Sequence, residues 1–198
     1  MKENPTKDKV IDAASFLFFQ NGFHGTSVRD IAEKAAVNVS LISYYFKSKQ
    51  GLLEYAVTHY YDQYVQLLED TIQNRKHASD FDTFTLVIYK ILAFKIDHYQ
   101  LTAFIQRELS LDSTFVREMT VTYLAKENYL LSSLFFKILS KENRKQKEFL
   151  FIQLKGMLLS PFILKHELTK YMLDETSRQH FIKTYAKTTQ NWLNFLKK

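Results

Sequence analysis

Residues 26–52 read TSVRDIAEKAAVNVSLISYYFKSKQGL. Ile31, Ala32 and Ala35 recur at helical spacing, Ala36-Val37-Asn38 interrupts the pattern, and Ile42 and Phe46 resume it on a second short helix. Two short amphipathic helices joined by so tight a turn are the layout of a helix-turn-helix, a shape that fits a DNA major groove. The side-chain oxygen of Asn38 suits an N-cap, so the second helix is expected to begin at Val39. Thr26 is read as the N-cap of the helix before it and Ser48 as that of the helix after it. The exposed face then presents Ser40, Ser43 and Tyr44, with Val39 and Leu41 at the leading end.

Upstream, Pro5 suits a first helical turn, and the helix it opens turns Val10, Ala13, Ala14, Leu17 and Phe18 inward before Gly22 stops it. Downstream, Leu52, Leu53, Ala56, Tyr60, Tyr64, Leu67 and Leu68 carry one long helix to about residue 74, where the polar stretch RKHASDFD breaks it. Further helices are expected at about 81–98, 101–111, 113–139, 146–164 and 174–196, with a charged turn at 140–148. Four glycines, two prolines and little β-type alternation in 198 residues make the chain all-α. Its expected organisation is a three-helix head over residues 1–47 and a helical bundle over 48–198.

Composition narrows the function classes. A net charge of +6 favours a polyanionic partner, but only seven of the 27 basic residues fall in the first 50, so no basic tail drives binding. The absence of cysteine excludes a disulfide framework, a thiolate zinc site and a cysteine nucleophile, and suits a reducing cytoplasm. The apolar runs at 13–19 and 157–164 are too short for a membrane span, and the first is followed by no signal-peptidase-like site. The six histidines show no metal-ligand spacing, and neither G-x-S-x-G nor a P-loop occurs, so no catalytic residue, metal or cofactor is assigned.

The candidate DNA-binding residues fall into two kinds. Thr26, Ser27, Tyr44, Tyr45, Lys47 and Lys49 supply hydroxyls and ammonium groups suited to phosphates, which fix register without reading sequence. Arg29 can address a guanine edge in bidentate fashion; its alternative is an ion pair with Asp30 or Glu33. Val39 and Leu41 offer apolar contact to a thymine methyl, and Ser40 and Ser43 are small polar contacts. One short recognition helix reads few bases, so a palindromic site and a homodimer are expected. The last two helices carry apolar surface for that purpose: Phe151, Leu154, Gly156, Leu158, Trp192 and Phe195, with the chain's own core as the competing assignment. Arg107, Glu108, Asp112, Arg117 and Glu118 form a charged constellation read either as a partner or regulatory surface or as an ordinary ion-pair network.

At these residues the sequence resembles the TetR family of dimeric bacterial regulators, through Thr26, Ile31-Ala32, Ala35-Ala36-Val37, Tyr44, Phe46, Lys49 and Leu52. The resemblance implies a three-helix DNA-binding head, a long connecting helix and a body that dimerises through its last two helices. Ala36 departs from the glycine usual there, which implies either a left-handed alanine or an altered turn. The stretches HYQLTAFIQRELSLDSTFVREMTVTYLAKENY and FIQLKGMLLSPFI are similar to the RefZ-type branch of that family. That likeness implies a nucleoid-associated dimer on palindromic chromosomal motifs, acting in cell division and sporulation with the division protein FtsZ as partner. The alternative it leaves is a ligand-responsive repressor of a neighbouring gene, with the small-molecule effector open.

Overall fold

Pro5 opens α1 (Pro5–Asn21), which buries Val10, Ala13, Ala14, Ser15 and Phe18 and ends at Gly22, whose φ of +76° suits a residue without a Cβ. After it come α2 (Val28–Ala35), α3 (Val39–Phe46), α4 (Lys49–Gln73), α5 (Asp80–Asp97), α6 (Tyr99–Ser110), α7 (Thr114–Ile138), α8 (Arg144–Ile163), α9 (Lys165–Thr169) and α10 (Glu175–Leu196). The computed structural model describes residues 5–75, 78–111, 114–139 and 142–196, all helix or connecting turn. Each long helix agrees with its expected position to within about two residues. The short α9 carries no apolar periodicity of its own and was not anticipated. Pro161 lies inside α8 and does not end it.

The chain forms two compact units. The first takes residues up to Asp62 together with Tyr99–Thr120, so that α6 and the start of α7 group with the three-helix head. Within it α1 packs on both α2 and α6, with Phe18 and Phe104 5.5 Å apart between ring centroids. A buried hydrogen bond between the hydroxyls of Tyr60 and Thr102, 2.9 Å long, ties α4 to α6.

The second unit takes Gln63–His98 and the chain from Val121 onward. Its core stacks Phe84, Phe135, Phe151 and Trp192, the Phe135 and Trp192 rings lying within 8° of parallel. Pro161 has no N–H to give to the Met157 carbonyl four residues earlier. Tyr185 on α10 donates its hydroxyl to that carbonyl at 2.7 Å, which satisfies the carbonyl that proline leaves free in the last turn of α8 and fastens α10 to α8. The same unit buries an ion pair: Lys95 on α5 lies 3.4 Å from a Glu127 carboxylate oxygen on α7, which also accepts the Tyr64 hydroxyl from α4.

Candidate nucleic-acid interface

The turn between α2 and α3 keeps its left-handed alanine. Ala36 sits at φ 53°, ψ 46°, its N–H donates to the Glu33 carbonyl at 3.1 Å, and that of Val37 donates to the Ala32 carbonyl at 3.0 Å. These paired bonds are a Schellman motif closed by a residue with a Cβ, a conformation that costs an L-residue roughly 1–2 kcal/mol. Ala36→Gly is expected to stabilise the protein by about 1 kcal/mol, since glycine's greater freedom when unfolded offsets part of the relief. A melting temperature raised by about 2–4 °C would register it; an unchanged or lowered one would show the turn to be unstrained.

Both helices are capped at their N-termini. Ser27, not Thr26, caps α2: its N–H donates to Asp30 at 2.8 Å and its hydroxyl oxygen accepts the Asp30 N–H at 3.1 Å. Hydrogen bonds from the Ser27 amide and then the Ser27 hydroxyl to the Asp30 carboxylate hold it below its ordinary range. The carboxylate half of this capping box is therefore fully present above the ordinary carboxylate pKa and is lost as pH falls through the lower folded value, while the bond from the Asp30 N–H to the Ser27 hydroxyl remains. Asn38 caps α3 as expected, accepting the Ser40 amide at 2.9 Å and the Ser40 hydroxyl at 2.8 Å. Ser48 accepts the Gly51 amide at 3.0 Å at the head of α4. Between α3 and α4, Lys47 adopts φ 67°, ψ −46° beneath a 2.8 Å bond from the Ser48 amide to the Phe46 carbonyl, a strained γ-turn that leaves the lysine exposed.

Ile42 and Phe46 are buried, and the opposite face of α3 is open: Val39, Ser40 and Ser43 are exposed, and Tyr44 is 78% exposed. Leu41 and Tyr45 are half-buried, Tyr45 packing edge-on to Tyr44 with the Lys7 ammonium 5.4 Å from its ring centre. Arg29 stands exposed on α2 with no hydrogen bond or ion pair among the described residues; the Asp30 carboxylate, its alternative partner in the sequence, accepts the Ser27 amide instead.

Two residues expected at the phosphates face inward. Thr26 is buried, and its hydroxyl donates to the Gly22 carbonyl at 2.8 Å. The Lys49 ammonium donates to the carbonyls of Phe23 and Thr26, each at 2.7 Å, and lies 4.3 Å from the Phe23 ring centre. Both pin the loop between α1 and α2. For Lys49 the sequence carries no sign of this, because the carbonyls it satisfies lie 23 and 26 residues back along the chain.

Arg107 is likewise turned inward. Its guanidinium donates to the Phe18 carbonyl at 2.9 Å and the Phe19 carbonyl at 3.1 Å, capping the C-terminal end of α1 from α6. Glu108 approaches Arg107 Nε at 3.7 Å, while Arg117 and Glu118 are exposed on α7; Asp112 lies outside the described residues. Of the apolar residues on the last long helices, Phe151, Leu154 and Leu158 are buried in the chain's own core and Trp192 is half-buried on Phe135. Gly156 and Phe195 are exposed.

Residues 10–56 match the family described as "Bacterial regulatory proteins, tetR family". The probable HTH-type transcriptional regulator YttP of Bacillus subtilis (strain 168) is 38% identical over 195 residues, 95% of this chain and 92% of that protein. The chain belongs to the TetR family. As such it is a DNA-binding transcriptional regulator and not an enzyme. Solved TetR-like structures carry the same fold at low identity. A TetR transcriptional regulator from Legionella pneumophila has a TM-score of 0.71 at 16% identity, covering all of both chains. FadR from Bacillus subtilis, solved in complex with stearoyl-CoA, has a TM-score of 0.68 at 18% identity, covering 91% of this chain and 95% of that one. Among the described residues no helix is long and apolar enough to cross a membrane, and no cluster of three potential metal ligands occurs.

Proposed function

We propose that this TetR-family protein acts as a homodimer on a palindromic DNA site and that a small-molecule effector controls its binding. The observation that carries the DNA reading is the unpaired Arg29 beside the open face of α3. Arg29 and Tyr44 are the proposed readers, with Val39 and Leu41 as apolar contacts and Ser40, Ser43, Tyr45 and Lys47 at the edges of the interface. Ser40 enters as an acceptor, since its hydroxyl proton goes to Asn38. Ser27 caps the helix that carries Arg29, while Thr26 and Lys49 hold the loop that sets its angle.

Selection from a pool of random duplexes tests this. The wild-type protein is expected to enrich a palindrome with half-sites about one helical turn apart, and Arg29→Ala to relax one base pair in each half-site, worth about 1–3 kcal/mol of discrimination. An unstructured pool, or the same motif from both proteins, would sink the assignment.

The dimer reading rests on the outer face of α8, where Phe149, Ile152, Gly156, Leu159 and Ile163 follow one another at spacings of three and four. Phe149, Ile152 and Ile163 are each more than half exposed in the single chain, as is Phe195 on α10. The effector reading draws support from the FadR structure, which was solved in complex with stearoyl-CoA. A second reading, in cell division and sporulation with FtsZ as partner, draws on the α6–α8 sequence resemblance and on the exposure of Arg117 and Glu118. A genome-wide binding map separates the two: one strong site before a neighbouring gene marks a local repressor, and scattered palindromes away from promoters mark the chromosomal role.

A further inference from the structure

The loop that Lys49 pins, between α1 and α2, forms one wall of a cavity of about 250 Å³ within the first unit. Leu53, Phe104 and Val116 give it an apolar lining, all three virtually inaccessible to water, and the Phe23 ring closes one side. Glu108 on α6 is the one acidic residue lining it among the described residues, with Gln50 and His24 also on the wall. The Glu108 side chain is only 19% exposed, and its one ion pair among the described residues is the 3.7 Å approach to Arg107 Nε. That distance is long for a charge-assisted bond, and the terminal nitrogens of Arg107 are spent on the Phe18 and Phe19 carbonyls. A carboxylate with acceptor capacity to spare, on a side chain about four-fifths buried beside aromatic and aliphatic walls, is matched by a cation with a flat apolar body.

We propose that this cavity binds a compact arylalkylammonium cation, the ammonium on Glu108 and the ring between Phe23 and Phe104. A cavity of about 150 Å³ accommodates benzene, so this one has room for a ring with a short aminoalkyl chain. The proposal deepens the effector-responsive reading and rests on it. It also supplies a consequence: Phe23 and His24 on the cavity wall belong to the loop that Lys49 pins ahead of α2, so a ligand seated there loads that loop and occupancy weakens DNA binding.

Calorimetric titration of the full-length protein with phenethylammonium, and with 3-phenylpropionate as the anion of similar size, tests the site. Saturable binding of the cation alone is expected, with affinity falling at least tenfold in Glu108→Gln. Equal binding of the two probes, absence of saturable cation binding, or unchanged affinity in a folded Glu108→Gln would overturn it. Should that variant not fold, the charge preference of the wild-type protein decides. Phenethylammonium is further expected to lower affinity for a duplex carrying the selected site at least fivefold; binding without that loss would overturn the regulatory role. Either failure leaves the Arg29 experiment untouched, so a wrong ligand and a wrong DNA interface are told apart.

Discussion

Lys95→Met is expected to cost about 3–5 kcal/mol of stability, although it exchanges one long side chain for another of similar reach. In a chain of this size that corresponds to a melting temperature lower by about 6–20 °C. The lysine side chain is 4% exposed and that of Glu127 15%, so removing the ammonium strands a desolvated carboxylate that still accepts the Tyr64 hydroxyl. The reasoning distinguishes breaking the pair from replacing it. Lys95→Met, Glu127→Leu and Tyr64→Phe together remove the whole buried polar cluster, and this triple variant is expected to recover most of the loss. Thermal denaturation of the three single variants and the triple reads the coupling directly. Single losses that simply add in the triple would show that Lys95, Glu127 and Tyr64 do not act as a unit.

Ile152→Arg is expected to yield a monomer that folds normally and binds a palindromic duplex about a hundredfold or more weakly than wild type. Ile152 stands 60% exposed in the single chain, so the substitution disturbs no core packing. It places a charge within the Phe149–Ile163 stripe, where a second copy would desolvate it. The loss of affinity follows from geometry: two heads on one rigid dimer share the entropic cost of docking, whereas a lone head has only a few base contacts. Sedimentation and DNA titration at equal protein concentration give both readouts. A variant that stays dimeric would move the interface off α8; a monomer with undiminished affinity would show that the site is read by single heads.

The helix-turn-helix was legible in residues 26–52 because its determinants are local. Helical spacing of Ile31, Ala32, Ala35, Ile42 and Phe46, a capping asparagine at 38 and a serine at 48 act within one or two turns of chain. The same holds for the long helices, whose periodicity and breaks placed them closely. Which polar side chains remained for DNA was not local. Thr26, Lys49 and Arg107 look like surface groups in sequence, yet each satisfies carbonyls at or beyond the end of α1, up to 89 residues away. Apolar residues posed the same difficulty on α8. Periodicity marks two apolar stripes there, and only packing buries Phe151, Leu154 and Leu158 while leaving Phe149, Ile152 and Ile163 uncovered. Hydrogen-bond spacing along one helix is written in neighbouring residues; which face is covered, and which carbonyl needs a donor, depends on chain brought from far away.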